Sequence, residues 1–222
     1  MVKLSKRLLK IAEMVPKDAT VADIGCDHAY LAIYLVLTGK TNKAIVTDIR
    51  KKPLLKAKEN IEKFNLTKII FPRLGDGLEA IQKEDKIDTL IISGMGGKLI
   101  LKILNEGKDK LSPTLILQAN NSVRDLRLWC QNNNYKIVDE AIVYEKGHYY
   151  EIIFAKRGHK LLTEKEILFG PILLKRKESL FIEKYKKELD LKRKILKNIK
   201  DEDSIQYKNI EKEIKILESI LE

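Results

Sequence analysis

The chain has 222 residues, with 43 Lys+Arg against 32 Asp+Glu, a net charge of +11 and a pI near 9.4. Hydrophobic residues make up 44% and charged residues 34%, which suits a soluble globular domain plus an appendage, and no apolar run approaches the ~18 residues of a membrane span. Two cysteines, Cys26 and Cys130, exclude a disulfide scaffold and a four-cysteine zinc site and fit a reducing cytoplasm, while the excess of cations suits a polyanionic partner or a generally lysine-rich composition.

The opening residues are basic, but Lys10 and Glu13 interrupt Leu8 to Val15, so no signal peptide is expected. Val21-Ala22-Asp23-Ile24 predicts a short strand, and His28 to Leu37 is apolar at helical spacing. Ala44 to Asp48 predicts a second strand. Pro53 to Phe64 predicts a helix with the proline in its first turn, where a missing N–H costs little. Further strands are predicted over Lys68–Pro72, Ile87–Ser93 and Thr114–Gln118, and a helix over Ser122–Asn132 with Ser122 as N-cap. Tyr135–Tyr144 and Tyr149–Lys156, separated by Lys146-Gly147, read as an antiparallel hairpin. Repeated β-α units followed by a hairpin predict an α/β fold with a mostly parallel sheet and helices on both faces.

Composition changes after residue 159. Residues 160–222 carry 16 Lys+Arg and 13 Asp+Glu, and 1–159 carry 27 and 19, so the basic surface belongs mainly to the first part. Thr163 to Glu166 has a capping-box pattern. One long helix is expected over Ile172–Lys200, then a turn at Asp201–Ser204 and a second helix with Ile210, Ile214, Leu217 and Leu221 in a stripe. The expectation is a 1–159 α/β domain and a 160–222 antiparallel helical hairpin that acts as a spacer or in substrate binding.

The chemistry sits at the ends of the strands. A dinucleotide fold would show G-x-G-x-x-G in the first β-α turn. This turn reads Asp23-Ile24-Gly25-Cys26-Asp27-His28 instead. Two carboxylates repel a pyrophosphate and suit a cationic, amine-bearing ligand. S-adenosylmethionine has an ammonium and a sulfonium and no phosphate, which favours a methyltransferase over a dehydrogenase. Asp48 ends the second strand, where an acid accepts from both ribose hydroxyls. Gly75-Asp76-Gly77 follows the third strand, where an Asp between glycines suits an adenine amino group. Ser93-Gly94-Met95-Gly96-Gly97 ends the fourth, and so many glycines imply a sharp bend or a close approach. It lacks the acid-or-amide, Pro-Pro, aromatic pattern of many exocyclic-amine methyltransferases. The expected cofactor shell is Asp23, Gly25, Asp27, Asp48, Ile49, Gly75, Asp76, Gly77, Gly94 and Met95.

Together Leu4-Ser5-Lys6-Arg7-Leu8, Ala22 to Leu31, Gly75-Asp76-Gly77, Gly94-Met95-Gly96-Gly97 and Leu117-Gln118-Ala119-Asn120 resemble the bacterial tRNA (adenine(22)-N1)-methyltransferases, the TrmK family, over residues 3 to about 158. Cys26 stands where the family often has Ser, and Ala119 where it often has Pro; both exchanges are small. The resemblance implies a Rossmann-like class I methyltransferase domain over 1–159 that moves a methyl group from S-adenosylmethionine to N1 of an adenine in the D-arm region of tRNA, with 160–222 similar to the family's C-terminal coiled coil. A monomer working in the cytoplasm without a metal is expected. Asp27 and His28 are the catalytic candidates. Asp27 suits either the adenine N6 edge or the cofactor amine, or it caps the next helix; His28 serves as donor, base orienter or packing. For the RNA, Tyr30 suits stacking or the core, and Asn120 the base edge or the turn. Lys3, Lys6, Arg7 and Lys10, with Arg124 and Arg127 three residues apart on one helix face, are candidate phosphate contacts. Cys26 reads as a packing residue. The competing readings are a methyltransferase of another RNA or of a small molecule, and a non-catalytic RNA-binding adaptor that keeps the cofactor fold.

Overall fold

The computed structural model describes residues 2–222. It forms two compact units, one ending at Ile172 and the other Leu173–Glu222. In the first, seven strands form one sheet: β1 (Thr20–Ile24), β2 (Lys43–Asp48), β3 (Ile70–Leu74), β4 (Thr89–Met95), β5 (Thr114–Ala119), β6 (Tyr135–Glu145) and β7 (His148–Arg157). The spatial order is β3-β2-β1-β4-β5-β7-β6. Pairs among β1 to β5 are parallel, and β7 runs antiparallel to both β5 and β6. The central strands are apolar on both faces because both are covered: Ile91 and Ile116 face one buried cluster, Leu90, Ile92 and Leu117 another.

The helices are α1 (Lys6–Met14), α2 (Tyr30–Leu37), α3 (Lys51–Lys63), α4 (Gly97–Glu106), α5 (Val123–Asn132) and α6 (Glu164–Phe169), with α7 (Pro171–Arg176) running across the division. Helix α1 was not predicted as a helix. It is capped by the Ser5 side chain, which accepts from the Leu8 N–H, and it packs Ile11 and Ala12 beside Val21 and Leu31. Ser122 stands at the α5 N-cap, but in a left-handed conformation with no side-chain cap bond, so the expected capping is absent. Strands β3 and β4 each begin and end two residues later than expected, a difference within the usual uncertainty of strand boundaries.

The first unit runs beyond the expected boundary at residue 159. Thr163 and Glu166 form the predicted capping box of α6, and the Ile172 N–H donates to Glu140 on β6. The second unit holds α8 (Ser179–Asn198) and α9 (Ile205–Leu221). The single helix expected over 172–200 is broken instead. Lys177 takes a left-handed φ of 44° and Glu178 an extended N-cap geometry, with no glycine or proline to announce the break. The two helices bury Phe181, Tyr185 and Leu189 against Ile214, Leu217 and Ile220, and Arg193 pairs with Glu218 across them. The α9 stripe therefore ends on Ile220 rather than Leu221. No helix among the described residues is long and apolar enough to cross a membrane.

Candidate active site

Strand order reverses between β1 and β4, and an open α/β sheet binds its ligands outside the carboxyl ends of its strands at such a point. A cleft of about 680 Å³ lies there, within the size range of small-molecule sites. The ends of β1, β2, β3 and β4 supply most of its wall, and α1 contributes Arg7 and Leu8.

The β1–α2 turn is built from left-handed residues: Gly25 at φ 72°, Asp27 at 50° and Ala29 at 60°. Only glycine adopts this readily, so the turn is strained at two positions, as functional turns often are. A Cβ at Gly25 would meet only the mobile tip of Met95, at 2.0 Å from its Cε, so the left-handed φ is what favours glycine there. The Gly25 and Cys26 amides both donate to the Thr47 carbonyl, which ties the turn to β2. Asp27 projects onto the rim, mostly exposed, and its carboxylate lies 3.7 Å from His28 Nε2. Helix α2 begins without a side-chain cap, so the capping role open to Asp27 is not taken up. The His28 ring sits edge-on to Tyr30, centroids 5.7 Å apart. Its Nδ1 is buried and has no hydrogen-bond partner among the described residues. Tyr30 is exposed on the cleft wall rather than in the core.

Two carboxylates at the floor are treated differently by the fold. Asp23 is 4% exposed, and burial pushes its carboxyl up to about 7 while the Arg7 guanidinium pulls the other way. Asp48 is equally buried, but its Oδ1 accepts from the Arg50 backbone N–H at 2.8 Å and side-chain Nε at 3.4 Å. That arrangement fixes the carboxylate and leaves Oδ2 for a ligand diol. Ile49 stands exposed beside it. Asp76 follows β3 between Gly75, where a Cβ would meet Ala80 Cβ at 2.8 Å, and Gly77, at φ 52° against Ile103.

The Gly94–Met95 turn of β4 is held by side chains of β5. Gln118, fully buried, accepts from the Gly94 N–H at 3.0 Å and from Arg7 Nη1. Its amide donates to Asn120 Oδ1, and Asn120 Nδ2 donates to the Gly94 carbonyl at 3.1 Å. Asn120 thus serves the turn and is not among the residues that line the cleft.

The cleft therefore gathers Asp23, Gly25, Asp27, His28, Tyr30, Asp48, Ile49, Gly75, Asp76, Gly77, Gly94 and Met95, as the sequence suggested. It corrects one assignment outright. Arg127 is no phosphate contact: it is 1% exposed, with Nε on Glu140 at 2.8 Å, Nη2 on Glu151, and Nη1 on the Leu168 carbonyl at 3.2 Å. Only Arg124 of that pair is exposed, because Leu126, Trp129 and Cys130 turn the Arg127 side of α5 inward. Arg7 is also turned in, toward Gln118 and over the Tyr150 ring, whereas Lys3 and Lys6 are exposed and Lys10 pairs with Glu13. Thr47, Arg50 and Gln118 were missed. Arg50 was legible as the second residue after a strand-ending acid; Gln118 stood in the Leu117–Asn120 stretch, but nothing there assigned it a role. Burial, with Asp23 and Asp48 nearby, raises the Cys26 thiol far above the usual range, so it is no nucleophile. Among the described residues, no group of three metal-ligating side chains forms.

The family model for tRNA (adenine(22)-N(1))-methyltransferases, TrmK, matches residues 21–219. The tRNA (adenine(22)-N(1))-methyltransferase of Bacillus subtilis strain 168 is 42% identical over 205 residues, covering 89% of this chain and 86% of that protein. The crystal structure of Streptococcus pneumoniae Sp1610 in complex with S-adenosyl-L-methionine superposes with a TM-score of 0.91 at 36% identity, covering 99% of this chain and 100% of that one. M. capricolum TrmK in complex with S-adenosyl-homocysteine gives 0.88 at 39% identity over 98% and 97%. A strand-end acid with one open oxygen, a floor of left-handed glycines and an orphaned ring nitrogen on the wall fit a nucleoside-bearing cationic cofactor of this kind. The chain belongs to the tRNA (adenine(22)-N(1))-methyltransferase family, TrmK.

Proposed function

We propose that this protein methylates N1 of adenine 22 in tRNA, using S-adenosylmethionine. The observation that carries the reading is the order of Asp23, Asp48 and Gly75-Asp76-Gly77 at the ends of β1, β2 and β3 around one cleft, in a chain of this family. When bound, S-adenosylmethionine supplies an electrophilic methyl group. Asp48 takes the ribose hydroxyls, Asp76 the adenine amino group, and Asp23 with Asp27 the cationic end. Because Asp23 sits near 7, its affinity for a cation falls as pH drops below that value.

Adenine N1 carries its own lone pair, so attack needs no base, and alignment is the main task of the cleft. The N1 edge is paired or stacked in folded RNA, so the base must be extruded into the cleft. Tyr30, exposed on the wall, offers a ring for it. When the methyl group passes to N1, the sulfonium–methyl bond would break to leave a neutral thioether, and the positive charge would move onto the purine ring. Asp27 on the rim, with His28 beside it, stabilises that charge at the N6 edge. The exposed cations Lys3, Lys6 and Arg124 receive phosphates, and the α8–α9 hairpin adds further phosphate contacts along its lysines. Cys26 and Cys130 are both free and buried, which supports a cytoplasmic setting.

Nucleoside mass spectrometry of tRNA incubated with the protein and methyl donor tests the assignment. N1-methyladenosine is expected, and it should disappear when adenine 22 is replaced. Methylation at another position, or none, contradicts the reading.

A further inference from the structure

The β5–β7 ladder ends with Gln118 opposite Ile152, so Tyr150, Tyr149 and His148 continue past the carboxyl end of β5. The β6–β7 hairpin tip thus projects at the same edge of the sheet as the cleft. The two are joined directly: Arg7 lines the cleft and its guanidinium lies over the Tyr150 ring, 5.4 Å from the centroid. Side chains alternate along a strand, and the register pairs Tyr144 with Tyr149 and Glu145 with His148. Tyr144 and Tyr149 therefore share the face that carries Glu151 and α5, their centroids 4.7 Å apart. His148 and Tyr150 share the face that carries α1, with centroids 6.3 Å apart. Both faces of the tip are aromatic. Tyr144 is 38% exposed and His148 is exposed. Beside them stand the exposed cations Lys146, in the turn itself, and Lys6, whose amide holds the Glu145 carboxylate.

Aromatic rings set among cations beside a cleft that takes one base are the elements of a single-strand nucleic-acid platform, in which rings stack on bases and cations follow phosphates. We propose that the β6–β7 hairpin tip is a stacking arm for unpaired nucleotides flanking the extruded base, with Tyr144 on one face and His148 on the other as its outermost rings. The proposal rests on the RNA substrate argued above. The arm holds the RNA strand at the mouth of the cleft, and the stacking is indifferent to base identity.

The test uses the full-length protein and its tRNA, with three readouts: tRNA affinity, its salt dependence, and S-adenosylmethionine affinity. In the Tyr144→Ala/His148→Ala double variant, tRNA affinity should fall about tenfold or more. Cofactor affinity and melting temperature should stay as in the wild type. The slope of log affinity against log salt should be unchanged, because stacking releases no counterions, whereas Lys146→Ala should flatten it. Tyr144→Phe/His148→Phe should bind tRNA like the wild type. The arm is overturned if the double alanine variant binds tRNA within twofold of a wild type that methylates it, or if the phenylalanine variant loses as much as the alanine one. A wild type that neither binds nor methylates tRNA removes the parent reading, and the arm with it.

Discussion

Two regions of the first unit bury charge, and they do so in opposite ways. On the α5 face, Arg127 is surrounded by Glu140, Glu151 and two carbonyls of α6, and Glu140 Oε2 accepts the Ile172 N–H as well. Protein atoms satisfy the cluster, which closes β6, β7, α5 and α6 around one point. Gly170 is part of it, since a Cβ there would meet Glu140 at 2.6 Å and Arg127 at 2.8 Å. At the carboxyl edge, Asp23 is buried with only the longer-range pull of Arg7, Asp48 keeps one oxygen open, and His28 Nδ1 has no partner among the described residues. The contrast separates charges that hold the fold from charges held for a ligand. Buried polar groups normally find partners within the chain; of the described groups that do not, His28 Nδ1 and Thr47 Oγ1 belong to residues lining the cleft, while Ser112 Oγ lies outside it.

The largest expected effect breaks the first region. Arg127→Ala leaves two carboxylates buried without their cation and should cost about 3–5 kcal/mol in denaturant unfolding. Arg127→Lys should recover little of it, because an ammonium cannot reproduce the forked bonds to both glutamates. Activity should fall with the folded fraction rather than through tRNA affinity.

The second effect is a pH dependence. The folded-state pKa of Asp23, about 7, lies above its ordinary 3.8. A carboxyl raised in the folded state stabilises below its unfolded value, and that contribution is lost as pH rises through about 7. The ligand-free protein should therefore lose about 2–4 kcal/mol from this group between pH 4 and pH 8, seen as the difference between wild type and Asp23→Asn in denaturant titrations. Smaller again is Asp48→Ala, which should weaken S-adenosylmethionine by about 1.5–3 kcal/mol in calorimetry, with little change in melting temperature. The smallest is Thr163→Ala, which removes the α6 capping box, costs about 1 kcal/mol and leaves cofactor affinity unchanged.

The ligand-facing region was the more legible of the two. Its residues sit next to one another in sequence, at the ends of apolar runs, where Asp and Gly in order announce a strand followed by a site. The Arg127 cluster was opaque because its partners lie far along the chain, on β6 and β7. Spacing of three from Arg124 suggested a common exposed face, but the apolar residues on either side of Arg127 decide which way it turns. The Gln118 bonds were hidden for the same reason. The break at Lys177 had no glycine or proline to mark it, so the lysine-rich pattern read as one helix.

If Asp23 is held for a ligand, it is held at a cost to the free fold. Unfolding free energy and S-adenosylmethionine affinity, measured together at pH 8 for wild type and Asp23→Asn, test it most directly. The prediction is a variant that is more stable than the wild type without ligand and binds the cofactor more weakly. A variant that is less stable and binds the cofactor with unchanged affinity would mean that Asp23 serves the fold, and would contradict the division drawn between the two regions.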